Sequence, residues 1–131
     1  MIERPSLRWR RKTEEQEAAV AAGTLPREKA YAALNWPPSF TAAVDAVFVA
    51  YEQDVDGLQD PQDATVWSAV ERVVVALNAI DDEEGLIETT IREDLCEYID
   101  VVLEAAGIDV DALVARRGID RSELTDAWRD W

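Results

Sequence analysis

An all-α fold is predicted for this chain: a compact bundle of six or seven helices around a long antiparallel helical hairpin at about residues 61–80 and 91–106. Three observations predict it. Apolar residues recur at three- and four-residue spacing through both arms of the hairpin, no segment alternates apolar and polar residues between turns as a half-buried strand does, and short polar or Gly/Pro joints separate the helical stretches.

Taken in order, residues 1–12 include the run RWRRK and read as a basic N-terminal arm, and residues 13–131 as a single all-α domain. Thr13 with Gln16 can cap a short helix that ends at Gly23. Thr24 and Pro26 open another, with Tyr31 and Leu34 facing the core, and Pro37 and Pro38 stop it near Asn35. Ser39 is placed to cap a helix from Phe40 to about Gln53. Its main apolar face is Phe40, Val44, Val47, Phe48 and Tyr51, while Ala42, Ala46 and Val49 make the opposite side apolar as well.

In the first arm of the hairpin, Asp60 is positioned as the cap, Pro61 takes the site where a missing N–H costs nothing, and Asp63 sets negative charge at the positive helix end. Val66, Val70, Val73, Val74, Leu77 and Ile80 share one face, with Trp67 at its edge. The acidic stretch Asp81, Asp82, Glu83, Glu84, Gly85 reads as the turn. Thr90 and Glu93 have capping-box spacing for the second arm, whose stripe is Ile91, Leu95, Ile99, Val102, Leu103 and Ala106. Glu93, Glu97, Asp100 and Glu104 line the opposite face. Gly107 is placed to end that helix in the left-handed conformation, with Ile108 packing back on Leu103. The Gly107, Ile108, Asp109, Leu113 pattern then recurs at Gly118, Ile119, Asp120 and Leu124, and a last short helix carries Leu124, Trp128 and Trp131.

At 131 residues and 48% hydrophobic content the chain can bury a core and is not an acidic disordered tail. A single Cys96 forbids an internal disulfide and fits a reducing compartment; no apolar run has membrane-spanning length, so a cytoplasmic location is expected. An excess of arginine over lysine, with abundant alanine, suggests a GC-rich bacterial genome. Net charge is −15, and it is unevenly placed: residues 45–104 carry 17 acids against only Arg72 and Arg92. Self-repulsion on that scale opposes a compact state.

With no histidine, a Ser/His/Asp triad, a Cys/His dyad and a Glu-x-x-His di-iron site are excluded, and nothing marks one carboxylate pair as acid and base. Cys96 reads as a packed small side chain, so no catalytic activity and no cofactor are expected. The stretch Asp54, Asp56, Gly57, Asp60, Asp63 offers hard-cation oxygens but misses the EF-hand pattern, and it reads as an interhelix loop. Arg8, Arg10, Arg11 and Lys12 could meet phosphates with Trp9 stacking on a base, yet the acidic remainder would repel the same polyanion, so nucleic acid is a poor partner.

The feature that points to a function is the acidic surface of Asp81, Asp82, Glu83, Glu84, Glu88, Glu93, Glu97, Asp100 and Glu104. Carboxylates held on a rigid helix speed association with a cationic partner and discriminate against anionic ones. By analogy of class, immunity proteins, antitoxins and mimics of DNA phosphates use such surfaces. The expectation is therefore an acidic protein-binding module, in its sharpest form an immunity or antitoxin-type inhibitor covering a basic site on a partner such as a nuclease-type toxin. Trp131, Trp9 and Trp36 are the candidate aromatic anchors. One alternative is a structural, self-assembling module that pairs Ala42, Ala46 and Val49 with a second copy; another is a nucleic-acid-associated regulator using the basic arm.

Overall fold

Pro5 sits at the first helical position, where its missing N–H is no loss, and opens α1 (Pro5–Ala21). The computed structural model describes residues 3–131, so Met1 and Ile2 of the expected basic arm lie outside the described residues. The rest of that arm is helical from Pro5, and the boundary expected at residue 12 falls inside a helix. Trp9 is the reason: it is 0% exposed, stacked on Trp36 with ring centroids 5.8 Å apart and on Phe40 at 5.7 Å. A ring of that size buried against two aromatics contributes several times the stability of a surface contact. Around it, Ser6 donates to Asp45 Oδ1 at 2.7 Å, and Arg4 reaches Glu52 at 2.6 Å and Asp45 at 3.3 Å.

A 3-10 turn (Arg27–Lys29) leads to the single turn of α2 (Ala32–Asn35). Tyr31 and Leu34, expected in the core, are 48% and 77% exposed; the buried residue is Ala32, whose N–H donates to Gln16 Oε1 at 2.8 Å. The inward side of so short a helix is set by this one polar clip, and the clip turns Leu34 outward.

The third helix, α3 (Pro38–Asp56), begins one residue before the expected cap and runs three residues longer than expected. Ser39 does not cap it, because Pro38 already opens the helix; its hydroxyl instead meets Glu84 Oε1 at 3.4 Å. Phe40, Val44, Phe48, Tyr51 and Val55 are buried, while Val47 is half-buried. Next come α4 (Asp63–Glu84) and α5 (Thr89–Ala105). The most extensive helix packing is not between α4 and α5, the two arms of the expected hairpin, but that of α3 against α4. Ser39 at the start of one meets Glu84 at the end of the other, and Asp54 at the far end of α3 pairs with Arg72 at 3.0 Å, so the two run antiparallel. On the core side α5 is pinned to α3 by Tyr51, whose buried hydroxyl donates to the Ile99 carbonyl at 2.8 Å, and by Phe48 packed on Tyr98. Burial raises the pKa of both tyrosines.

Three expected helix ends are corrected. Asp60 does not cap α4; it takes a left-handed φ of 47°, which a short polar side chain tolerates, and the helix begins after Gln62. Asp81 to Glu84 are not a turn but the last turn of α4, because nothing before Gly85 breaks the helix; Gly85 leaves it with φ 63°. Glu88, not Thr90, caps α5: in extended backbone its longer side chain accepts from the N–H groups of both Thr90 and Ile91 at 3.0 Å. The end of α5 is as expected, with Ile108 N–H bonded to the Leu103 carbonyl at 3.0 Å and Gly107 left-handed. The expected apolar stripes of α4 and α5 are buried save for Ala106, which is exposed at the C-cap.

Asp109 caps α6 (Val110–Arg117) by accepting from Ala112 N–H at 3.1 Å. The repeat at Gly118 leads only to a 3-10 turn (Arg121–Glu123), not to the expected last helix. There Asn78 of α4 captures the backbone, donating to the Trp128 carbonyl at 2.7 Å and accepting from Asp130 N–H at 3.0 Å. Leu124, Thr125 and Trp131 are buried by this strap, and Arg117 lies 4.2 Å over the Trp67 ring beside Trp128. The described residues are thus all-helical, with six α-helices, and no helix is long and apolar enough to cross a membrane.

Candidate functional site

The nine acids singled out in the sequence divide into three groups by what their side chains do. Asp81 and Glu88 are used locally. Asp81 Oδ1 accepts from Ile87 N–H at 3.1 Å and so shapes the α4–α5 turn, and Glu88 caps α5. Hydrogen bonds from the Thr90 and Ile91 amides, with Arg92 adding attraction, hold the Glu88 carboxyl below its ordinary value.

Asp100 and Glu104 are taken up by Arg121. This one guanidinium hydrogen-bonds Asp100 through two nitrogens, reaches Glu104 as well, and pairs with Asp111 at 3.2 Å. Its own pKa is raised, chiefly by the hydrogen bond to Asp100. That half of the expected acidic row is partly offset from within, since the strap after α6 carries a cation back onto α5.

Asp82, Glu83, Glu84, Glu93 and Glu97 form the third group. All are exposed, and among the described residues none is in an ion pair. Glu84 has only the long contact from Ser39. Asp82, Glu83 and Glu84 occupy the C-terminal turn of α4, where the helix dipole is negative, so each carboxylate is unfavourably placed by about 0.3–1 kcal/mol. Glu93 lies in the second turn of α5 and Glu97 at its middle, where Glu97 borders the recesses that also hold Arg8 and Arg121. The surviving acidic surface is therefore the end of the molecule where α4 turns into α5.

Beside it lies a groove of about 500 Å³ between α2 and that turn, lined by Leu34, Trp36, Gly85, Leu86 and Ile91 together with the polar Asn35, Glu88 and Thr90. Its apolar character was not legible in the sequence, because Leu34 was expected inside. Trp36 Nε1 is shut off from solvent and, among the described residues, has no hydrogen-bond partner.

The remaining candidates take structural places. Trp9 is fully buried and cannot stack on a base in this fold; Arg8 pairs with Asp94 at 3.2 Å and Arg11 with Glu3 at 2.7 Å. Trp131 is 8% exposed and belongs to the core. Cys96 is half-buried, with Arg129 Nη1 donating to its sulfur at 3.2 Å and Thr125 Oγ1 in contact at 3.5 Å, where either the thiol or the hydroxyl can donate. In the Asp54–Asp63 loop, Asp54 is paired with Arg72 and Asp63 with Arg116 at 2.7 Å; among the described residues no three metal-ligating side chains converge. No family model, curated protein or solved structure matches this chain.

Proposed function

We propose that the protein acts by binding a basic protein through the acidic end where α4 meets α5. The observation that carries this reading is the run Asp82, Glu83, Glu84 at the negative end of the α4 dipole. Charges there weaken the helix they sit on and make no ion pair among the described residues, so their use lies outside the fold. Glu93 adds charge from the second turn of α5, whereas Glu97, farther along that helix near Arg8 and Arg121, and Asp100 and Glu104, paired with Arg121, contribute less. In its sharpest form the protein is an immunity or antitoxin-type inhibitor that covers the cationic site of a nuclease-type toxin. Capture of a basic protein that weakens steeply between low and moderate salt tests this; capture indifferent to salt contradicts it.

A second reading has its own observation. Of the expected face Ala42, Ala46 and Val49, only Ala46 lies in a groove of about 330 Å³ along the α3–α4 pair, exposed with Ala50 beside Val47, Val73 and Ala76 and the Asp54–Arg72 pair. Self-association through that apolar valley would hold or strengthen as salt rises, so sedimentation of the protein at two salt concentrations separates the two readings.

A further inference from the structure

Binding surfaces owe most of their affinity to a few well-buried anchors, while surrounding charges mainly govern encounter rate and specificity. The acidic end of this molecule has charge in plenty, and beside it lies the part-apolar groove between α2 and the α4–α5 turn. Three features make that groove unlike ordinary surface. Leu34 stands 77% exposed at its edge, with Leu86 and Ile91 also in its lining. Trp36 lines it and holds a buried indole N–H without an acceptor, a deficit of about 1–3 kcal/mol for a donor cut off from water. Finally, Glu88 is on its wall and Glu83 and Glu84 immediately precede Gly85 in its rim. Arg92, one turn into α5, is the nearby cation, and its attraction falls on Glu88.

We propose that this groove is the anchor site of the partner complex, taking one large apolar side chain that is flanked by lysines or arginines on a basic protein. The inference rests on the proposed function above and adds the point at which affinity is concentrated. The occupant's apolar side chain covers Leu34 and Leu86, its flanking cations meet Glu83 and Glu84, and a carbonyl of its backbone is the acceptor that a small shift of Trp36 would bring to Nε1. An anionic or wholly polar segment satisfies none of these together.

The probe is the peptide acetyl-Lys-Arg-Leu-Arg-Lys-amide, titrated into the full chain labelled with 15N, with the Trp36 indole signal assigned through Trp36→Phe. Saturable movement of that indole signal and of the Leu86 amide is expected. A peptide with serine in place of leucine should bind more weakly, and Leu34→Ala should weaken the leucine peptide by about fivefold through lost apolar contact, with an unchanged melting temperature. Equal binding of an aspartate-flanked leucine peptide overturns the basic occupant. Movement confined to the amides of Glu93 and Glu97, insensitive to Leu34→Ala, overturns the groove while leaving the acidic-surface reading intact. Absence of any saturable shift, in a protein that still captures a basic partner in a salt-dependent way, likewise overturns the groove alone; absence of both overturns the two together.

Discussion

Arg121 grips Asp100 through two of its nitrogens, Nε meeting Oδ2 at 2.8 Å, and the same guanidinium reaches Glu104 and Asp111. One cation from the chain's last quarter thereby pairs with three carboxylates drawn from α5 and α6 and offsets one of their three charges. This contact decides which part of the acidic helix faces outward with unspent charge and which part serves the fold.

Replacing Arg121 with alanine leaves those three carboxylates facing one another. The expected loss is about 1 kcal/mol at low salt, since the guanidinium is partly exposed and its pairs are screened. Chemical denaturation at two salt concentrations checks it: the loss should shrink at the higher one. An equal loss at both would mean that Arg121 acts through packing.

Trp9 gives a sharper test of the N-terminal helix. Were residues 1–12 an arm, its truncation would cost nothing; as a fully buried ring between Trp36 and Phe40, Trp9→Ala should cost about 3–5 kcal/mol. Urea melts of the two proteins read this directly.

The Glu88 cap predicts a pH dependence. Its carboxyl is held below its ordinary value of 4.5 in the folded state, so the unfolded chain binds the proton more readily. The cap's electrostatic contribution is therefore complete above about pH 4.5 and is lost as pH falls through the folded value. Glu88→Ala should lower the melting temperature by a few degrees at pH 7, and its gap to the native protein should narrow in acid. A gap that widens below pH 4.5 would contradict the cap.

The all-α bundle was legible because α4 and α5 each bury a long stripe at helical spacing, and such stripes survive errors at their ends. The docking of α1 was not, because its inward face is Pro5, Ser6, Trp9 and Gln16, three of them small or polar, and periodicity counts only apolar residues. Spacing alone shows one tryptophan among charges; only the tertiary partners Asp45, Phe40 and Ala32 make that side a face. The candidate site was legible as charge but not as geometry. Nothing local signals that Arg121 returns to Asp100, or that Gln16 fixes Ala32 inward and so sends Leu34 out to the groove.

The central claim is that the carboxylates ending α4 are kept for a partner and against the interest of the helix. The direct measurement pairs stability with binding in the triple variant Asp82→Asn, Glu83→Gln, Glu84→Gln, which spares the structural Asp81 and Glu88. Relief of the helix dipole should raise the melting temperature by about 3 °C, while low-salt capture of a basic protein falls by an order of magnitude or more. A variant that melts lower than the native protein, or that captures as well as it does, would contradict the account.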